Sequence, residues 1–573
     1  MRPVVMRAWP WLILLAAVIA ATAPLLVLGY PDTNSYALNV SWAGQFVELL
    51  RSGLAYPRWL PESFDGLGAP TFVFYAPLPF YLMGLIDLLS GSRLGPEALV
   101  SIASAAMVAA SAVTMRRWLL RYVDPPRAAV GATIYVLAPY HMLDAHVRGS
   151  LGELAAYALL PPLAGALETT LQSPRRGWPW LAIWTSLLVL SHLPSTLVVG
   201  LVAIPLRIAG VMASRRLRAA RKLRFLLHAC LGGAMGLGLS AVYWVPAIRL
   251  MRIASFNYGD SDHFMPRSWL ITNLGAWPDA NLMMAIAFMY LGLAVISVLG
   301  IVALGKHGDG FGLSWSAALA GICLAMVGGI PFIWDPHSPL FHIQFPWRLL
   351  LVGEFLAVTI VMRVSACRPS PMALRAIAMA VLPMAAAIGG VLSFAIGTYR
   401  DRESPSIALR RELSVTRGPE AVEYLPQGHP FRYSGSGITT DQFLELVSSH
   451  PRAIAAWTEP RAAGQVRVWP ALTGEARIEV VTKQPARIVL RRFHFPLWRL
   501  EAERSGAAAP PIAPTGEDRL LSFEVPAGTW SFRLAWSPPL IMAASAWVSG
   551  IAVVLLIWCG FVMPMRRRRR IPG

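Results

Sequence analysis

The chain has 573 residues, 55% of them hydrophobic and only 14% charged. Soluble domains carry about 25% charged residues, so this balance excludes a soluble enzyme, a disordered chain and a fibrous protein. The net charge of +19 does not point to nucleic acid, because the Gly397–Pro538 stretch holds 18 Lys+Arg against 15 Asp+Glu and most of the excess sits in short loops between apolar runs, as orientation signals do.

The first apolar run, Trp9 to Gly29, follows Arg2 and Arg7. It is too long for a signal-peptide core and lacks a small-x-small cleavage site, so it is expected to stay as a first span with a cytoplasmic N-terminus. Further runs lie near 96–115, 128–143, 151–171, 178–192, 195–213, 224–247, 282–304, 313–331, 346–363, 373–396 and 539–562. At about 20 residues per crossing these make about twelve spans. The segment 72–89 carries Pro77 and Pro79 among Phe72, Phe74, Tyr75, Phe80 and Tyr81, and proline disrupts helix bonding in lipid.

Charge decides whether 72–89 crosses. If it dips in and returns, the cytoplasmic loops include Arg116, Arg117, Arg121 and Arg127, then Arg175 and Arg176, then the 215–222 cluster and the Arg566–Arg570 run. If it crosses, most of these face outward, against the positive-inside rule. The expectation is therefore a re-entrant outer segment, both termini inside, and 30–95, 144–150, 248–281, 332–345 and 397–538 outside. Cys230, Cys323, Cys367 and Cys559 show neither ligand spacing nor a disulfide framework, so no metal site is expected from them.

Residues 1–396 form the membrane domain in this reading, 397–538 a separate outer domain, and 539–573 a final span with a basic tail. The outer domain alternates at 476–482, 486–491, 520–525 and 530–536, which predicts antiparallel strands and a small sandwich, with Pro526-Ala-Gly528 as a turn. Thr440–Ser449 reads as a short helix. No nucleophile–base signature stands in this domain, and a structural or docking role is expected of it.

The candidate chemistry sits in the outer loops. Asp32, directly after the first span, suits a general base at the lipid–water boundary, or a cap for an amphipathic helix starting near Asn34. Arg58, in Tyr56-Pro-Arg-Trp59, suits a phosphate partner. The turn His141-Met-Leu-Asp-Ala-His-Val-Arg-Gly-Ser-Leu-Gly-Glu153 gathers Asp144, His146, Arg148 and Glu153, and ionisable groups at membrane depth are functional candidates by default. His141, Asp144 and His146 match no strong metal template. His192 lies near the outer end of its span, and Arg348, in Phe345-Pro-Trp-Arg348, opens another span.

An acid after span one, a Pro-rich embedded outer segment and an Arg/Glu cluster after span three resemble the GT-C superfamily of membrane glycosyltransferases. Tyr56-Pro-Arg-Trp59, Gly68-Ala-Pro70, Phe74-Tyr-Ala-Pro-Leu-Pro-Phe-Tyr81, Arg148 to Glu153, Ser191-His192 and Phe345-Pro-Trp-Arg348 look like the bacterial membrane family labelled 6-pyruvoyl-tetrahydropterin synthase-related. The strand-rich tail ahead of a last span is similar to that of YfhO-like proteins. The resemblance covers nearly the whole chain and implies no pterin chemistry. It implies an all-α, GT-C-like polytopic domain with a β-rich outer domain in the bacterial inner membrane. The activity implied is sugar transfer from a polyprenyl-phosphate-linked donor to an envelope glycan, lipid or protein. Asp32 would then be the base. Arg58, Arg148 or Arg348 would bind the phosphate, with His192 beside them, and Glu153 and His146 would orient the acceptor or hold Arg148. Asp32 is followed by Thr33 and Asn34, not by a second acid, so no metal or other cofactor is called for. Membrane lipids and the two substrates are the partners implied. The competing readings are a transporter or flippase of a lipid-linked glycan, and a non-catalytic assembly protein of the same fold.

Overall fold

The computed structural model describes residues 2–256, 265–276, 280–367, 371–400, 404–418, 420–430, 448, 451–503 and 508–562. Helix α1 covers Arg2–Val27, α2 Tyr36–Arg51, α3 Leu78–Leu89, α4 Pro96–Leu119, α5 Pro125–Val136, α6 Leu151–Gln172, α7 Pro174–Ser191 and α8 Leu193–Ala213. They are followed by α9 Ala219–Leu239, α10 Ala241–Arg249, α11 Ala280–Lys306, α12 Gly310–Met326, α13 Leu350–Ala366, α14 Pro371–Arg400, α15 Pro405–Thr416 and α16 Leu540–Leu555. Proline opens α4, α5, α7, α14 and α15, where its missing N–H falls among groups that have no intrahelical partner.

Each of the twelve apolar runs is helical, and the chain is a multi-pass membrane protein. The count of twelve is not reproduced. Among the described residues eight helices are long and apolar enough to cross a membrane, and a ninth crossing follows if α9 and α10, bent by 72°, count as one. The shortfall has local causes. Ala138 precedes Pro139 and is extended (φ −59°, ψ 137°), so the run at 128–143 breaks after α5. Helix α12 has 17 residues, a length of about 25 Å against about 30 Å of hydrocarbon. Helix α7 opens on Pro174-Arg-Arg-Gly and carries Pro179 inside. The 72–89 segment is a single turn at Thr71–Phe74, an extended Tyr75 and the 12-residue α3, too short to cross.

The four alternating segments of the outer domain are all strands. With β1 Ala456–Glu459, β2 Gly464–Pro470, β3 Ala476–Thr482, β4 Ala486–Phe493, β5 Trp498–Ala502, β6 Ala513–Pro514, β7 Leu520–Val525 and β8 Gly528–Trp536, two antiparallel sheets form, ordered β1-β4-β7-β6 and β2-β3-β8-β5. Ile478 and Val480 of one sheet and Ile488, Leu490 and Phe523 of the other are buried, so period-two patterning fills the core between them. Apart from residue 448, the helix expected at Thr440–Ser449 lies outside the described residues, as does the Arg566–Arg570 run.

This domain is sewn to the outer loop that follows α1. Asp65 is fully buried and pairs with Arg417 (3.1 Å), Arg452 (2.7 Å) and Arg491 (2.9 Å). The Phe64 and Asp65 amides donate to the carbonyls of Gly418 and Arg417. Nearby, the buried Glu420 carboxyl accepts from Trp42 Nε1 (2.9 Å), Ser63 Oγ (3.0 Å) and Thr71 Oγ1 (2.5 Å). Burial pushes its pKa up to about 8. Trp59 stacks edge-on against Trp498, and the loop admits it because Gly68, at φ +80°, has no Cβ to meet the indole 2.2 Å away.

Candidate functional site

The turn from Pro139 to Glu153 carries the densest set of ionisable groups at the head of the helices. Glu354, on α13, accepts from the backbone amides of Tyr140 (2.8 Å) and His141 (3.3 Å), capping the short helix Pro139–Leu143. It also accepts from Tyr157 Oη at 2.7 Å, and the His141 ring stacks on Tyr157 with centroids 4.0 Å apart. The turn ends at Gly149, in the left-handed region at φ +68°, where a Cβ would fall 2.4 Å from Thr33 Oγ1.

Within this frame Arg148 Nη2 donates to Glu153 Oε1 at 3.0 Å, and its Nη1 donates to Tyr140 Oη at 2.6 Å and to Asp144 Oδ1. Tyr140 Oη in turn donates to Glu153 Oε2 at 2.7 Å, and Ser150 Oγ to Oε1 at 3.1 Å. Arg348 reaches the same carboxylate, its Nε 3.4 Å from Glu153 Oε1, while its Nη1 donates to the Ile343 carbonyl at 2.9 Å. Two of the three expected phosphate-binding arginines therefore converge on one carboxylate. Asp144 is buried, with Oδ2 unpartnered, and burial beside Glu153 pushes its carboxyl well above the usual range.

The loop bearing Asp32 lies directly on this turn. The Asn34 and Ser35 amides donate to the carbonyls of Val147 (3.0 Å) and Arg148 (3.2 Å), and Asn39 Nδ2 donates to the Gly149 carbonyl at 2.7 Å. Asp32 does not cap α2, which starts at Tyr36 with no side-chain cap. Its Oδ2 instead meets Arg410 Nη1 of α15 at 3.0 Å, and its amide donates to the Thr398 carbonyl.

Other expected residues go elsewhere. His146 does not reach Arg148: Nε2 donates to the Ala21 carbonyl at 3.1 Å and Nδ1 stands 3.0 Å from Tyr399 Oη, so it braces α1 against α14. Burial pushes its pKa down to about 4, and it is neutral there. Arg58 donates to the Val242 carbonyl at 3.0 Å and lies over the Tyr56 ring. His192 caps the start of α8, accepting from the Ser195 amide. Among the described residues no three His, Cys, Asp or Glu side chains are grouped to hold a metal, and the four cysteines are unbonded. Tyr140, Glu354 and Arg410 were not anticipated. Glu354 had a signal, an acid inside an apolar run. Tyr140 and Arg410 had none.

No family model and no curated protein matches the chain. Among solved structures it is similar to the arabinofuranosyltransferase AftD from Mycobacteria, at 17% identity and a TM-score of 0.43, over 69% of this chain and 27% of that one. It is also similar to the Archaeoglobus fulgidus oligosaccharyltransferase in complex with Zn and sulfate, at 12% identity and a TM-score of 0.39, over 73% and 59%. The chain thus spans about a quarter of the first protein's length and about three fifths of the second's. At these TM-scores the overlap is partial, and neither protein's chemistry transfers to this chain by likeness.

Proposed function

We propose that the chain is a membrane glycosyltransferase, moving a sugar from a polyprenyl-phosphate-linked donor to an envelope glycan, lipid or protein on the outer face of the bacterial inner membrane. The observation that carries this reading is the union of two pieces: the Asp32 loop rests by backbone hydrogen bonds on the turn that holds Arg148, and Arg148 shares Glu153 with Arg348. The Asp32 carboxylate and the Arg148 and Arg348 guanidiniums thereby share one end of the helices. The order of motifs from Tyr56 to Arg348 supports the same assignment.

In this mechanism Asp32 takes the proton of the acceptor hydroxyl. The hydroxyl oxygen attacks the anomeric carbon, the bond to the phosphate oxygen breaks with inversion, and the electron pair leaves on the lipid phosphate. Arg148 and Arg348 stabilise that developing charge, and Arg410 keeps Asp32 ionised. Tyr140 and Glu153 hold Arg148 in place. In the same reading the basic loops and both termini are cytoplasmic, the β-rich domain at 397–538 is extracytoplasmic, and α5, α7 and α12 complete twelve crossings.

The test has two stages. Mass spectrometry of envelope lipids, glycans and glycoproteins from cells with and without the protein identifies the product. Transfer is then measured in membranes holding equal amounts of wild type and Asp32→Asn. The variant is expected to accumulate normally and to lose transfer by roughly 10²–10⁴-fold, the usual share of general-base catalysis. Near-wild-type transfer rejects Asp32 as the base.

A further inference from the structure

The seam between the outer loop and the β-domain holds a second concentration of guanidinium groups. A cleft of about 440 Å³ opens there, within the size range of small-molecule sites, and Glu62, Asp65, Arg452, Arg491 and Arg492 supply its charged walls. The carboxylates are already spoken for. Asp65 pairs with Arg417, Arg452 and Arg491, and Glu62 pairs with Arg452 at 2.8 Å. The walls of the cleft thus hold three guanidiniums against two carboxylates, a surplus of one positive charge.

Arg492 is the unbalanced member. Among the described residues no carboxylate lies within 4.0 Å of it. Its Nη1 donates to the Gly474 carbonyl, its guanidinium lies over the Trp498 ring at 5.0 Å, and its Nε and Nη2 make no hydrogen bond. Arg492 is half-buried, and with no carboxylate beside it its guanidinium stays charged at neutral pH. The indole packs against the guanidinium and leaves Nε and Nη2 to an arriving anion. The fork of an arginine matches a carboxylate or a phosphate in two parallel hydrogen bonds. Pro61, Pro470 and Leu472 add an apolar wall beside these donors, which suits an organic body and not a bare ion.

We propose that this cleft binds a water-borne organic oxyanion, carboxylate- or phosphate-bearing, with Arg492 as its principal partner and Arg452 at the rim. The site is independent of the transfer chemistry and stands whether or not Asp32 is a base.

The experiment is titration calorimetry of the full chain in nanodiscs at fixed ionic strength, because exposed charge is screened by salt. The probes are glucuronate, glucose 1-phosphate, inorganic phosphate and neutral glucose. Saturable binding of glucuronate or glucose 1-phosphate is expected, weakened at least about tenfold by Arg492→Gln, as for loss of a charge-assisted hydrogen bond. Which of the two binds tells carboxylate from phosphate. Leu472→Asp, at an exposed rim position, is expected to weaken it several-fold without touching Arg492 and decides the matter if Arg492→Gln fails to accumulate. Three results overturn the proposal: no saturable binding of either organic anion, binding of glucose or inorganic phosphate as tight as theirs, or affinity unchanged in the variants.

Discussion

Two buried carboxylates, Glu153 and Asp65, are each held by guanidinium groups, and they are built in opposite ways. The hydrogen-bonded partners of Glu153 are close in the chain: Ser150, Arg148 and Tyr140 lie 3, 5 and 13 residues away. Those of Asp65 lie 352, 387 and 426 residues away, all in the part of the chain that forms the outer domain. The backbones differ too. The left-handed position beside Arg148 is a glycine, whereas Phe64 and Asp65 themselves sit at φ 51° and 58°. A non-glycine residue pays about 1–2 kcal/mol for that conformation and keeps it only when its surroundings over-determine it. Three arginines and two backbone hydrogen bonds do so here. The first cluster is thus built mainly within one turn, with Arg348 joining from the start of α13, and the second is a clamp between parts of the molecule.

That contrast can be broken by experiment. The largest effect is expected from Arg148→Gln, which removes a donor from the developing phosphate charge and strips Glu153 of a partner. Transfer per folded molecule should fall by about 10²–10³-fold, read in the membrane assay. Asp65→Asn should do the reverse: thermal unfolding in detergent should show a loss on the order of 3 kcal/mol, with transfer per folded molecule changed less than threefold. A loss of transfer as deep as that of Arg148→Gln would show that the clamp takes part in the reaction.

A subtler effect belongs to Glu420. Its pKa stands near 8 when folded, against 4.5 for an ordinary glutamate, so the folded state binds the proton more tightly. Its contribution is most favourable below about pH 4.5, declines as pH rises towards 8, and is constant above that. Unfolding midpoints of wild type and Glu420→Gln, compared from pH 5 to 9, should diverge up to pH 8 and then run parallel. The smallest effect is expected from Arg499→Ala, whose exposed ion pair with Glu501 should be worth at most about 1 kcal/mol in the same unfolding assay.

The same contrast governs what a reader of the sequence can see. Period-two alternation at 476–482 marks a strand because it needs only its own residues to declare a buried face. Asp144, Arg148 and Glu153 stand out because they share one turn. Arg410 on Asp32, and the arginines on Asp65, carry no local signal, since only the folded chain brings them across hundreds of positions. The span count is reproduced only in part, eight or nine among the described residues, for a related reason. Hydropathy registers composition, and the break at Ala138–Pro139 and the 72° bend between α9 and α10 are matters of backbone geometry. Proline announces the first in the sequence. For the second, Ser240 between two apolar helices announces nothing.

The distance from Asp65 to Arg491 also sets a timetable for biosynthesis. The loop is made early, but the last arginine of its clamp is polymerised 426 residues later. At about 5–20 residues per second, that interval is roughly 20–90 s. Until then Phe64 and Asp65 lack the full set of contacts that holds them in the left-handed region. A ribosome stalled before β4 leaves a chain that carries Arg417 and Arg452 but lacks Arg491 and the last helix, so the clamp on Asp65 is incomplete.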